Sequence, residues 1–467
     1  MVQHWSNSVS KGDYDFQQLS DWRDSVTLRV LGTVRGVYSS DLDEVLNRVT
    51  IGADSSEATA AEAAAIGILI SLSVPVAAIH FSLGRQPVSS IGVANARSLA
   101  HAIYEAGDTS LRDDGTALAG GFEIDRSLGG NRYELCTAGL VITRNSTTYL
   151  VTASHCSSTM YNLDTGDDLY QVDAGRAIGH EAWDTTASGD DPKRNSDAAL
   201  ITVDTMTALR GVIARTTSRS YDTYGRIQID TTRPYLYVYT TSSEPPVGTY
   251  VDKIGRSTGW TYGDVSGTCV DMENTETDKI IACTTKANVF TGKGDSGAAL
   301  FGWDGEDGAD LNGLTVCLFE SAGTEVIAGD SIQYGYVSYY SGYTGFLADL
   351  GGSSGVSATA GVTISSFTDS GTVSISNPAV SWSVPTIGGS GSASATRYYL
   401  YRSTSAGEYD DQIGTYYDGT DWLDLDETVT GYNGTTRPGI HTPWVEYQVV
   451  AYNDGVTNSS TPIYFTQ

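Results

Sequence analysis

Short apolar runs separated by Gly, Asn, Asp and Ser fill the chain from residue 117 to about 350. They include 137–143, 148–153, 198–203, 235–240, 280–289 and 314–319. Many short alternating runs with few helical ones predict a β-barrel or sandwich. The stretch before them is patterned differently. Residues 27–38 read as one strand and 43–51 as a second, with a turn around 39–42. Ser55 or Ser56 is the expected cap of a helix through 57–70, and 76–83 reads as a strand again. This predicts a small β-β-α-β unit over 21–87, with another short helix at 95–105. Residues 1–20 are polar and read as a loose leader. Gly351-Gly-Ser-Ser-Gly355 is a linker by composition. Beyond it, 379–384, 396–402 and 444–452 alternate well and predict a cysteine-free β-sandwich.

A length of 467 residues is too great for one ordinary core. The expected division is 1–20 leader, 21–115 small α/β domain, 116–350 β domain, 351–356 linker and 357–467 sandwich. Abundant Gly (52) and Tyr (29) agree with a mainly β chain. A net charge of -29 argues against a nucleic-acid partner, because little is available to neutralise phosphates. Its plain meaning is a solvated acidic surface, and the scarcity of lysine suits a saline habitat. Residues 58–79 are the most membrane-like run, but Glu62 and Pro75 interrupt it. It reads as a buried helix followed by a strand, not a membrane span. The opening Met1-Val-Gln-His-Trp-Ser6 has no basic stretch leading into an apolar run, so no secretory signal is read there. The five cysteines form no Cys-x-x-Cys pattern. Four could make two disulfides with one left over, which fits a secreted, extracellular protein.

Gly294-Asp295-Ser296-Gly297 is a candidate nucleophile motif, because glycines clear space around the hydroxyl and bring N–H groups close. Alone it is equally good turn composition. A serine nucleophile needs a base and a carboxylate. Of the six histidines, His155 has the fitting context: a strand ending in small residues, Thr152-Ala-Ser-His-Cys156. His180, in a polar loop, is the runner-up. His80 and His101 read as satisfied structural histidines. Asp197, at the start of the apolar run Ala198-Ala-Leu-Ile-Thr-Val203, is a carboxylate that a fold could bury.

His155, Asp197 and Ser296 occur in that order. The words Thr-Ala-Ser-His-Cys, Asp-Ala-Ala-Leu and Gly-Asp-Ser-Gly resemble the chymotrypsin-like (trypsin-fold) serine peptidases. Residues 253–265, then Cys269 and Cys283 before the serine, look like secreted bacterial members related to streptogrisin. Residues 334–340 resemble the segment closing their second barrel. Residues 36–51 resemble their pro-regions, and the C-terminal strands resemble a fibronectin type III domain. The resemblance implies two six-stranded antiparallel barrels with the site between them, a pro-region before them and a sandwich after. It implies Ser296 as nucleophile, His155 as base, Asp197 as orienting carboxylate, and the Gly294 and Ser296 N–H groups as the oxyanion hole. It implies disulfides Cys136–Cys156 and Cys269–Cys283, with Cys317 a buried filler. Phe290 stands where trypsin-like pockets place Asp, so cleavage after Arg or Lys is not expected, and Glu320, Ser321 and Ala322 would line the pocket's far wall. No cofactor or metal is expected. Residues 303–310 carry several carboxylates that could chelate Ca²⁺, but read as a solvated hairpin tip. The expected activity is that of a serine endopeptidase acting on protein or peptide substrates and made as a precursor. The alternatives are an inactive homologue binding a surface, polymer or other protein through the sandwich, or an esterase with the same triad.

Overall fold

The structure is a computed structural model. It describes residues 12–89, 92–95, 110–112, 117–129, 132–157, 168–171, 176–184, 193–204, 207–242, 244–274, 279–305 and 307–360; beyond 360 it describes the backbone of the strands. The helix expected at 95–105 and the role expected of His101 fall outside these residues.

The chain enters its first helix, Phe16–Arg29, inside the stretch read as a leader. Asp15 caps it, accepting from the Gln18 N–H, while the Gln18 side chain accepts from the Asp15 N–H. This reciprocal cap satisfies two orphan donors. The helix also corrects the reading of 27–38 as a strand. Leu19, Val26 and Val30 recur at helical spacing and are buried, and Gly32 and Gly36, at φ 71° and 85°, end the run. The first strand is Val37–Asp43 and the second Arg48–Asp54, paired antiparallel. The turn therefore lies at 44–47, not 39–42. Asn47 supplies the left-handed residue (φ 54°), and Asp43 Oδ1 accepts from the Leu46 N–H at 2.7 Å. The strand was misplaced because Val37 to Ser40 are all buried, which erases the alternation that marks a one-sided strand.

The helix Ala58–Ser71 follows where expected, burying Ala61, Ala65 and Leu69 at four-residue spacing. Its cap is not Ser55 or Ser56: Glu57 holds the N-cap position without a side-chain cap bond, and Ser56 donates to Asp54 Oδ1 instead. The next strand, Ile79–Gly84, runs parallel to Arg48–Asp54. No described helix is long and apolar enough to cross a membrane. The unit's core, built on Val26, Val49, Ile51 and Leu69, takes in Ile280 from the main β domain. Strand Val37–Asp43 also pairs with Gly259–Asn274, and Thr27 Oγ1 donates to the buried Asp271 Oδ2 at 2.8 Å. A shared core, a shared sheet and a shared polar contact join the unit to the hairpin Gly259–Asn274/Lys279–Ala287.

In the main domain, Leu140–Arg144, Thr147–Ala153, Ala198–Thr202 and Arg176–Asp184 form an antiparallel ladder. A second set runs Tyr250–Gly255, Gly259–Asn274, Lys279–Ala287, Asp330–Gly342, Gly308–Ile327 and Ala299–Trp303. Ala299–Trp303 pairs back onto Tyr250–Gly255, so these six strands close a ring. The chain is mainly β, with its helices few and short. Inside and just past the stretch read as a linker, Val356–Ser357 pairs with Leu140–Arg144 and Ala358 joins the main core. Beyond 360, Arg397–Ser403 pairs with Asp411–Tyr416 and Trp444–Asn453, and Ala379–Trp382 pairs with Val373–Ile375 and Thr428–Thr430.

Cys136 is bonded to Cys156, and Cys269 to Cys283. Closing a loop of this size removes denatured-state entropy. Replacing Cys136 and Cys156 by alanine is expected to lower unfolding stability by about 3 kcal/mol, read from urea melts without reductant. Cys317 lies in strand Gly308–Ile327, with its side chain outside the described residues. Of residues 303–310, Asp307 is committed to arginines, at 2.5 Å from Arg215 and 2.6 Å from Arg233.

Candidate active site

Register places His155 beside Asp197. In the antiparallel pair Thr147–Ala153/Ala198–Thr202, Ala153 lies opposite Ala198. The residues just after Ala153 must then meet those just before Ala198. The chain turns there through the 3-10 segment Ser154–Cys156, and the Ser154 N–H donates to the Asp197 carbonyl at 3.1 Å. His155 Nδ1 lies 2.6 Å from Asp197 Oδ2, and the His155 N–H donates to Asp197 Oδ1 at 3.3 Å. Both residues are wholly buried. The small side chains of Ala153, Ala198 and Ala199 leave room for this packing. Asp197 is held from the other half as well: its N–H donates to Ser341 Oγ at 2.8 Å.

Ser296 sits in a tight turn, with Asp295 N–H on the Gly292 carbonyl and Ala298 N–H on that of Asp295, both at 3.0 Å. Gly294 and Gly297 have φ of 100° and 85°. A Cβ on Gly297 would strike Thr152 Oγ1 and the Thr137 carbonyl, and one on Gly294 would strike Ser257 Oγ. Glycine is required at both places by φ and by space. Thr137 ties this turn down twice: its N–H donates to the Ser296 carbonyl and its Oγ1 to the Gly294 carbonyl, each at 2.8 Å. Thr137 follows Cys136, and Cys136 is bonded to Cys156, the neighbour of His155. The histidine turn and the serine turn thus share one brace, and the Ser296 turn packs against the end of the strand that leads to His155.

Asp295 is buried and aimed inward. Its Oδ2 accepts from Lys253 Nζ at 2.8 Å, from the Gly292 N–H at 3.0 Å and from Thr258 Oγ1; its Oδ1 accepts from the Ser257 N–H at 2.9 Å. Burial alone would raise this carboxyl; the Lys253 charge, with these hydrogen bonds, outweighs burial and holds it below its ordinary value. The cation that partners Asp295 is thus the side chain of Lys253. Sequence reasoning missed Lys253 as that partner. Its signal was the rarity of lysine, one of six in the chain, inside a run of buried residues.

The four residues assigned to a pocket divide into two groups. Glu320, Ser321 and Ala322 line a cavity of about 370 Å³ together with Arg85, Tyr336 and Val337. Phe290 lies behind it, stacked on Tyr334 at 4.7 Å and edge-on to Tyr336 at 5.4 Å. Glu320 Oε1 accepts from Tyr339 Oη and from Lys286 Nζ, both at 3.1 Å. His180 lies apart from the candidate site, half-exposed, with Nδ1 3.2 Å from Thr202 Oγ1. His80 is exposed on its strand, 3.4 Å from Thr50 Oγ1.

Among the solved structures this chain is similar to are bacterial proteases. Thermobifida fusca protease A matches at 18% identity and a TM-score of 0.32, covering 50% of this chain and 96% of that one. A glutamic-acid-specific serine protease matches at 18% identity and 0.34, covering 50% and 98%. The Nocardiopsis protease matches at 18% and 0.32, covering 50% and 95%. No family model matches the chain, and no curated protein does.

Proposed function

We propose that the chain is a secreted serine endopeptidase made as a precursor. The observation that carries this reading is the wholly buried 2.6 Å contact between His155 and Asp197, with the glycine-flanked Ser296 turn braced against the same strand end. A buried carboxylate fixes the imidazole tautomer and stabilises the imidazolium. On this reading Ser296 Oγ attacks the scissile carbonyl, and His155 takes its proton and returns it to the leaving amine. Asp197 stays ionised. The N–H groups of Gly294 and Ser296 hold the oxyanion, and the acyl-enzyme is released by water. The substrate is a protein or peptide, bound along 318–322; Phe290 stands where trypsin-like pockets place Asp, and the one carboxylate named in the cavity lining, Glu320, is already paired with Lys286 and Tyr339, so cleavage after Arg or Lys is not expected. The site would lie between two six-stranded barrels within 116–350, the sandwich 357–467 serving a separate binding role.

Precursor status has its own support. Val88–Ser89 pairs antiparallel with Leu318 and Phe319, and Arg85 Nη1 donates to the Ser321 carbonyl at 3.0 Å. Gly92–Asn95 pairs antiparallel with Arg132–Thr137, Gly92 opposite Leu135 next to Cys136. The chain after the N-terminal unit thus covers strands on both sides of the Ser296 turn, as an extended peptide substrate would by strand addition. A fluorophosphonate probe tests both parts. Ser296 is expected to label slowly in the intact chain and at least tenfold faster after limited trimming of the first 115 residues. Casein cleavage by the trimmed protein separates a peptidase from an esterase. Absence of labelling after trimming would leave the inactive homologue standing.

A further inference from the structure

Behind His155 and Asp197 lies a second buried polar cluster. Asp184 ends the strand Arg176–Asp184, Arg194 ends the short strand Lys193–Arg194, and Ser154 opens the turn that carries His155. Arg194 Nη2 donates to Asp184 Oδ1 at 2.9 Å, and neither side chain is exposed. Ser154 Oγ donates to Asp184 Oδ2 at 2.7 Å. Arg194 Nε donates to the Ser196 carbonyl at 3.0 Å, and its Nη2 approaches the Ala198 carbonyl at 3.5 Å.

The placement is specific. Asp184 grips the residue before His155, and Arg194 grips the residues on each side of Asp197. A buried ion pair is weak evidence for stability, since desolvating two charges offsets most of their attraction. What such a pair does supply is a fixed geometry among the backbones that it bonds. Charge is matched as well. Burial raises the Asp184 carboxyl, Arg194 and the Ser154 hydroxyl pull it back, and the Asp197 charge pushes it up again. Asp184 and Asp197 are thus two buried carboxylates close enough to repel, and Arg194 neutralises the first of them.

We propose that Arg194 and Asp184 are positioning residues, clamping Ser154 and Ser196 so that His155 and Asp197 keep their hydrogen-bonded geometry. This rests on the peptidase reading of His155, Asp197 and Ser296. The test compares Ser154→Ala and Asp184→Asn with the parent full chain, by proton NMR of the His155 Nδ1–H and by kcat and KM after trimming. The Nδ1–H resonance is identified by its loss in His155→Gln. The expected result is a shifted or exchange-broadened Nδ1–H, with kcat down about 10- to 100-fold, because small misplacements of reacting groups cost that much. KM should change less than twofold and the melting temperature little in Ser154→Ala, which leaves the ion pair intact. An unmoved resonance with unchanged kcat in Ser154→Ala overturns the proposal, and that variant decides alone should Asp184→Asn not fold. A resonance that responds in a parent chain that never labels with fluorophosphonate would instead overturn the peptidase reading and leave the clamp standing.

Discussion

Ser296→Ala is expected to lower kcat for peptide hydrolysis by about 10⁶-fold, with His155→Ala equivalent and Asp197→Asn costing about 10⁴-fold. The inequality follows from the roles. Without the hydroxyl there is no acyl-enzyme, and without the imidazole nothing takes its proton. Asn at 197 keeps the shape but favours the wrong imidazole tautomer across the 2.6 Å contact. The losses should not add: a Ser296→Ala, His155→Ala double variant is expected to be no slower than either single one, because the residues act as one unit. Single-turnover kinetics on trimmed protein check this. Residual rates within tenfold of the parent in Ser296→Ala would remove that serine from the chemistry. Asp197 carries a second burden, since its carboxylate also accepts from the His155 N–H, through Oδ1. Some of the Asp197→Asn effect should therefore appear as slower folding or a lower melting temperature, which Ser296→Ala should not share.

Lys253→Met is expected to destabilise the protein by about 3–5 kcal/mol, because it strands the wholly buried Asp295 carboxylate without its cation. Lys253 and Asp295 are both unexposed, so solvent cannot screen the loss. The double variant Lys253→Met, Asp295→Asn should recover much of it, since removing both charges removes the uncompensated burial. The pH dependence has a definite sign. Asp295 is held below its ordinary value of 3.8 in the folded chain. The stability this supplies is present above that ordinary value and is lost as pH falls through the lowered folded value. In Lys253→Met the carboxyl loses its largest favourable partner, so the acid-unfolding midpoint should move to higher pH. Urea melts from pH 7 down to pH 3 read both effects. Equal stability of parent and Lys253→Met at pH 7 would mean that the pair contributes nothing.

Much of the candidate site was legible because its chemistry is written in short local words. The alternation through 148–153 and 198–203 sets two strands, and a single register between them, Ala153 opposite Ala198, brings His155 to Asp197. The glycines around Ser296 are legible for the same reason: positive φ is a local demand. The contacts of Lys253, Arg194 and Asp184 were not legible, because each joins segments that only the folded sheet brings together. The N-terminal unit was misread where burial is two-sided. Strand Val37–Asp43 is covered by its own unit on one side and the hairpin on the other, and helix Phe16–Arg29 carries a β-branched Val-Thr pair that reads as strand until its cap is noticed.

Lys253 also gives the protein a reporter of its own opening. The chain has six lysines, at 11, 193, 253, 279, 286 and 293, so amine acylation of the native protein meets very few targets. Lys253, sealed against Asp295, should stay unmodified while exposed amines react within minutes. Its slow acylation, followed by mass spectrometry, would then time how often the floor beneath the Ser296 turn comes apart. That clock runs in the intact chain and needs neither substrate nor catalysis.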